Sequence, residues 1–142
     1  MEEAINPETF DRLLASLRAS EGYRGRIYRD SRGTPTLGYG HNLAVSIPRE
    51  AAELILRADA ERTVAAVRRV FAGFDAFSTK RQLALAELMF NLGPRGLAGF
   101  RRMIAAVRAG DWEGAAREMR DSRWAAQVGA RALRLARKVR GG

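Results

Sequence analysis

The chain has no cysteine and a single histidine, His41. These two absences exclude a disulfide framework, a thiol nucleophile and a zinc site built on several His and Cys ligands. No metal and no other cofactor is expected. Lysine is nearly absent as well, with only Lys80 and Lys138. No apolar run approaches the length of a membrane span. The opening residues, MEEAINPETF, are acidic and polar, without the basic and apolar regions of a signal peptide. No internal repeat, low-complexity tract or inter-domain linker is visible.

What the chain has instead is arginine. Lys plus Arg number 25 and Asp plus Glu 16, a formal net charge of +9. So basic a chain seeks polyanions: nucleic acid, anionic lipid or an acidic cell wall. Charge alone does not choose among them. The arginines are scattered over most of the expected helices and no helix-turn-helix or RNA-binding signature is evident, so no specific nucleic-acid partner is expected. With 142 residues, 46% of them hydrophobic, one compact domain with a core is expected rather than disorder.

Local signals punctuate the chain. Asn6 suits an N-cap and Pro7 a first helical position. Phe10, Leu13, Leu14 and Leu17 then fall on one helical face, and Gly22 is a C-terminal stop. Residues 23–41 lose the helical period. Ile27 and Tyr28 favour a strand, Ser31-Arg32-Gly33 is turn chemistry, and 34–39 favours extended structure. Gly38 and Gly40 either bend that strand or let something approach closely. A two- or three-stranded antiparallel ribbon is expected.

The rest reads as helix. One long helix begins near 46–48 and ends at Gly73. Its apolar contacts are expected from Ala51, Leu54, Ile55, Ala58, Ala65, Val67, Val70 and Phe71. Ser78 caps the next helix, whose stretch from Leu83 to Leu92 is apolar on almost every side and is expected to be buried. Gly93-Pro94 stops it, and 96–100 reads as a helical turn. Shorter helices follow over 103–109, over 112–119 behind the cap Asp111, and around Trp124 behind Asp121 or Ser122. A final helix at about 130–140 has Ala132, Leu135, Ala136 and Val139 on one face.

The ribbon carries the candidate chemistry. Glycoside hydrolysis needs one carboxylic acid to protonate the leaving oxygen and a second carboxylate to attack the sugar or activate water. Glu21 ends the first helix, where the dipole disfavours an anion by about 0.3–1 kcal/mol. That is too little to hold a proton near neutral pH without further burial. Asp30 follows across the ribbon, and Thr36 on the returning strand could share a water with it. Acid, base and hydroxyl are the parts of an inverting hydrolase. Each residue also has a plain structural reading, since a Glu at a helix end and an Asp before a turn are common.

The full pattern E-G-x5-Y-x-D-x2-G-x2-T-x-G-x-G-H, filled by Glu21 through His41, resembles the phage-type lysozymes, the T4-lysozyme-like endolysins of glycoside hydrolase family 24. FNLGPRGLAGF at 90–100 resembles that family's central-helix exit. WEGAA, SRW and Arg131 within 112–131 resemble its C-terminal part, while 42–58 is shorter than in T4 lysozyme. The resemblance implies an α+β, mostly α, lysozyme-like fold forming one catalytic domain over 1–142. Its parts would be a small β-containing lobe at about 22–48, a helical lobe at about 1–21 plus 74–142, a connecting helix at about 48–72, and an active-site cleft between the lobes.

The resemblance also implies roles. Glu21 is the general acid, Asp30 the base that positions water, and Thr36 its partner. Arg131 matches an arginine that pairs with the catalytic Glu, and His41 and Asp59 match a structural ion pair. Phe90 and Asn91 match cleft-lining positions, although Phe90 reads equally as core. Asn42, Met103 and Glu118 align with substrate contacts but differ in residue type from T4 lysozyme. The implied activity is that of a muramidase, cutting the β-1,4 bond between N-acetylmuramic acid and N-acetylglucosamine in peptidoglycan for phage-mediated lysis. The enzyme would be a monomer that waits in the host cytoplasm until a partner pore opens the inner membrane. The basic stretch 131–140 is either a solvated face or a means of reaching anionic lipopolysaccharide or a membrane surface. Alternatives from other classes are a lytic transglycosylase, which needs no water-activating Asp30, a non-catalytic basic module that binds polyanions, and a lysozyme-like scaffold without catalysis.

Overall fold

The computed structural model describes residues 5–142. Contacts divide the chain into a unit that ends at Arg49 and a second unit, Glu50–Gly142.

The first unit holds helix α1 (Pro7–Glu21) and strands β1 (Arg24–Arg29), β2 (Pro35–Gly38) and β3 (His41–Asn42). Asn6 caps α1 as expected: its Oδ1 accepts from the backbone N–H of Glu8 at 2.9 Å and of Thr9 at 3.4 Å. Gly22 ends the helix at φ +67°, its N–H donating to the Arg18 carbonyl at 3.0 Å. The sequence places α1 with the helical lobe; in the structure it falls in the same unit as the ribbon. It buries none of its residues.

The sheet order is β1-β2-β3, antiparallel throughout. The β1–β2 turn is built on Asp30 and Gly33. The Gly33 N–H donates to the Asp30 carbonyl at 2.9 Å, and the Asp30 N–H to the Thr34 carbonyl at 3.0 Å. Gly33 has φ +78°, the left-handed conformation this kind of hairpin needs after its first turn. The register pairs Tyr28 with Thr36 but Arg24 with Gly38, so β1 carries a bulge between them. No hydrophobic side chain of this unit is buried among the described residues.

The second unit contains α2 (Arg49–Val70), a 3-10 turn Phe74–Ala76, α3 (Thr79–Ala98), α4 (Arg101–Arg108), α5 (Trp112–Arg120), α6 (Arg123–Val128) and α7 (Ala130–Gly141). Among the described residues the hydrophobic core lies wholly here, with Val67, Phe71, Leu85, Leu88, Met89, Leu97, Met103, Met119 and Leu135 at its centre. Ser78, Asp111 and Ser122 each accept a backbone N–H at the start of a helix. These are the expected caps, with Ser122 rather than Asp121 at α6.

Two expectations need correction. Only the C-terminal turns of α2 join the core, through Val67, with Phe71 just beyond; Leu54 is 70% exposed and Ile55 51%. Helix α3 is not buried all round either: Ala84, Leu85, Leu88 and Met89 are buried, while Leu83 and Phe90 are exposed. In both helices the apolar residues outnumber the positions that face a neighbour. The expected break at Gly93-Pro94 is present. Gly93 leaves the helix at φ +71°, and Pro94 starts a second helical stretch, so α3 is kinked there.

Candidate active site

Glu21, Asp30 and Thr36 all lie in the first unit. Glu21 is the last residue of α1, held there because Gly22 turns the chain out of the helix and into β1. Its carboxyl group lies against the turn between β2 and β3. A Cβ built on Gly40 would sit 2.8 Å from Glu21 Oε2 and 3.0 Å from its Cδ. Both roles open to Gly40 in the sequence are realised, the bend and the close approach, and the approaching group is the candidate acid. Gly40 also has φ +79°.

Asp30 starts the hairpin. Its Oδ1 accepts from the N–H of Arg32 at 2.8 Å and of Thr34 at 2.9 Å. Arg29 ties the same turn, its Nη1 donating to the Gly33 carbonyl at 2.8 Å. One carboxylate oxygen of Asp30 therefore builds the turn, and the other takes no part in it. Thr36 is only 3% exposed, and its hydroxyl donates to the Thr34 carbonyl at 2.8 Å. Its lone pairs remain available to accept a hydrogen bond. Thr34 thus links the two residues: its N–H contacts Asp30 and its carbonyl contacts Thr36.

Two of the three supporting residues have partners in their own unit. Asp59 forms an ion pair with Arg62, one turn further along α2. His41 Nε2 is buried and has no hydrogen-bond partner among the described residues. Arg131, expected to serve Glu21, has a partner in its own unit: its Nη2 lies 3.7 Å from Glu87 Oε2. Both side chains are more than a third exposed, so this pair contributes little.

The aligned substrate contacts fall into three settings. Asn42 Oδ1 accepts from the Ala44 N–H at 2.8 Å, which makes it a turn-forming residue at the end of β3. Phe90 is 47% exposed, so it is not core, and it lines an apolar pocket of about 290 Å³ with Leu56, Ala60, Val64, Leu83 and Ala86. Asn91 Oδ1 accepts from the indole N–H of Trp124 at 2.6 Å, fixing α6 to α3. Met103 and Glu118 come together in a cleft of about 640 Å³, whose walls include Phe100, Arg101, Arg102 and Arg123. Those arginines were not singled out in the sequence, where nothing distinguishes them from the others.

A mostly helical chain with a small antiparallel ribbon, a glutamate closing its first helix and an aspartate opening the hairpin after it defines a lysozyme-like domain. The chain belongs to the phage lysozyme family, whose model matches residues 18–140. It is similar to the pre-baseplate central spike protein Gp5 of Enterobacteria phage T4, with 30% identity over 178 aligned positions. That match covers 95% of this chain but 31% of the spike protein, so the chain spans about a third of that relative's length. It is also similar to probable T4-type lysozyme 2 of Dictyostelium discoideum, with 22% identity over 153 positions, covering 87% of this chain and 90% of that protein.

Proposed function

We propose that the chain is a muramidase that hydrolyses the β-1,4 bond between N-acetylmuramic acid and N-acetylglucosamine in peptidoglycan. The reading rests on one observation above the others: the Glu21 carboxyl lies on Gly40, where an added side chain would have to displace it. Family membership supports the same class of chemistry. Glu21 protonates the leaving oxygen. The free oxygen of Asp30 orients a water, and Thr36, one strand away, offers a lone pair to that water. Attack from the face opposite the acid inverts the anomeric carbon. The biological role is lysis of a host cell by a phage, the enzyme reaching the wall from the cytoplasm through a partner pore. Among the described residues no helix is long and apolar enough to cross a membrane.

A second reading has a specific observation in its favour. Asp30 Oδ1 and the Thr36 hydroxyl are both engaged in building the hairpin, so their presence has a structural explanation. If that is their whole role, Glu21 acts alone and the sugar's own hydroxyl attacks, as in a lytic transglycosylase.

The deciding experiment is a mass spectrum of fragments released from purified peptidoglycan. Hydrated, reducing N-acetylmuramic acid ends are expected; anhydro ends, lighter by one water, would establish the transglycosylase. Glu21→Gln is expected to abolish release with the fold retained. Asp30→Asn preserves the acceptor that Oδ1 supplies to the turn and removes the charge. It is expected to cut activity severely without lowering the melting temperature. Wild-type rates from either variant would remove that residue from the mechanism.

A further inference from the structure

Two tyrosines adjoin Glu21 and its seat Gly40 along the chain, and neither the motif nor the mechanism above uses them. Tyr23 follows Glu21 by two residues at the entry to β1. Tyr39 immediately precedes Gly40, the glycine on which the Glu21 carboxyl rests. Their ring centroids are 5.6 Å apart, with planes inclined at 52°. Despite this contact, Tyr23 remains 70% exposed and Tyr39 52%. Single apolar side chains on a surface need no explanation. Two large aromatic rings in mutual contact, both open to solvent and both tethered to the backbone around one carboxylic acid, are a different case.

The Tyr23 ring also lies over a glycine. The Tyr23 hydroxyl would lie 2.9 Å from a Cβ on Gly25, and its Cζ 3.4 Å. The phenol therefore lies over bare backbone, where any side chain would displace it. One flank of the ring rests on Gly25, another meets Tyr39, and the remainder faces solvent.

The geometry points to Tyr23 and Tyr39 as a saccharide-binding platform that seats one pyranose ring of the glycan strand next to the bond Glu21 acts on. The inference rests on the muramidase reading for the identity of the strand. A β-linked N-acetyl sugar in its chair form has a flat face of C–H groups and a polar rim. An exposed aromatic ring offers the matching flat apolar surface, and a phenol adds a hydroxyl for the rim. Two rings inclined to one another form an open corner that fixes the position of a sugar as well as its orientation. Positioning of this kind raises the fraction of productive encounters without entering the chemical step.

The test uses soluble, uncross-linked peptidoglycan strands and the full chain. Tyr23→Ala and Tyr39→Ala are each expected to raise the apparent KM about three- to tenfold, the effect of losing one aromatic contact, with kcat nearly unchanged. Tyr23→Phe and Tyr39→Phe keep the flat ring and are expected to restore most of the affinity. Tyr23→Leu and Tyr39→Leu keep apolar bulk for packing but lose the flat face; they are expected to behave like alanine with an unchanged melting temperature. Unaltered KM in both alanine variants would overturn the proposal. So would a fall in kcat and melting temperature at constant KM, which is the signature of a structural clamp. Absence of sugar fragments from wild-type protein would sink the muramidase reading and leave the platform to a separate measurement, co-sedimentation with purified sacculi. Loss of retention in the double alanine variant would then support it, and equal retention would overturn it.

Discussion

At the scale of single residues, Gly40 meets two demands at once. Its φ of +79° lies in the left-handed region, and its missing side chain makes room for the Glu21 carboxyl. Gly38 meets only the first: φ is +69°, with nothing within 4 Å of where its Cβ would be. The two glycines separate strain from contact. Gly38→Ala and Gly40→Ala are each expected to lower stability by about 1–2 kcal/mol, the cost of left-handed backbone with a side chain. Only Gly40→Ala also crowds the carboxyl proposed as the acid. A misplacement of about 1 Å at a catalytic group costs on the order of a hundredfold in rate, so activity per folded molecule should collapse in Gly40→Ala and persist in Gly38→Ala. Equal activity in the two, measured alongside urea melts, would show that the acid does not depend on its seat.

At the scale of elements, several arginines that looked like a polyanion-seeking surface act as fasteners. Arg108 of α4 donates from Nε at 3.2 Å and Nη2 at 2.9 Å to the Val70 carbonyl, closing the end of α2. Arg81 of α3 donates from Nε to the Val139 carbonyl at 2.8 Å and from Nη2 to the Arg140 carbonyl at 3.1 Å, closing the end of α7. Its guanidinium also lies 4.2 Å from the centre of the Trp112 ring, which meets Phe77 edge-on at 4.9 Å. The last carbonyls of a helix have no partner within it, and a cation nearby suits the helix dipole. Arg81→Met keeps the aliphatic stem and removes the donors. It is expected to lower stability by about 1–3 kcal/mol, read as a shifted denaturation midpoint, while Arg81→Lys recovers part of the loss. A midpoint equal to wild type in Arg81→Met would mean that water serves those carbonyls equally well.

At the scale of the whole molecule, the excess of nine positive charges bears on the proposal that the protein acts on a polyanionic cell wall. Helix α7 is the place to test this, but not by deleting it. Ala132, Leu135, Ala136 and Val139 are all fully buried, so truncation would open the core. Arg134, Arg137 and Arg140 are exposed and can be changed alone. Replacing all three with Gln is expected to leave hydrolysis of purified peptidoglycan near wild type and to reduce killing of intact cells. The difference should shrink as salt rises, because the screening length falls from about 10 Å at 0.1 M to about 3 Å at 1 M. Unchanged killing at low salt would make α7 a structural helix with a solvated outer face.

The legible parts of this protein were those governed by chemistry within a few residues. The caps Asn6, Ser78 and Asp111, the turn before Gly33 and the break at Gly93 all appear where the chain alone placed them. Each depends on one side chain or one backbone angle and on neighbours at most four residues away. The spacing of Glu21, Asp30 and Thr36 was legible for the same reason, since helix end, hairpin and returning strand follow one another directly. Burial was not. Leu54 and Val67 are both apolar residues of α2, yet the first is exposed and the second fully buried. The pairs Arg81 with the α7 carbonyls, 58 and 59 residues apart, and Asn91 with Trp124, 33 apart, carry no local mark either. A hydrophobic period names a face that can be buried; which part of it finds a partner depends on groups brought together only by the folded chain.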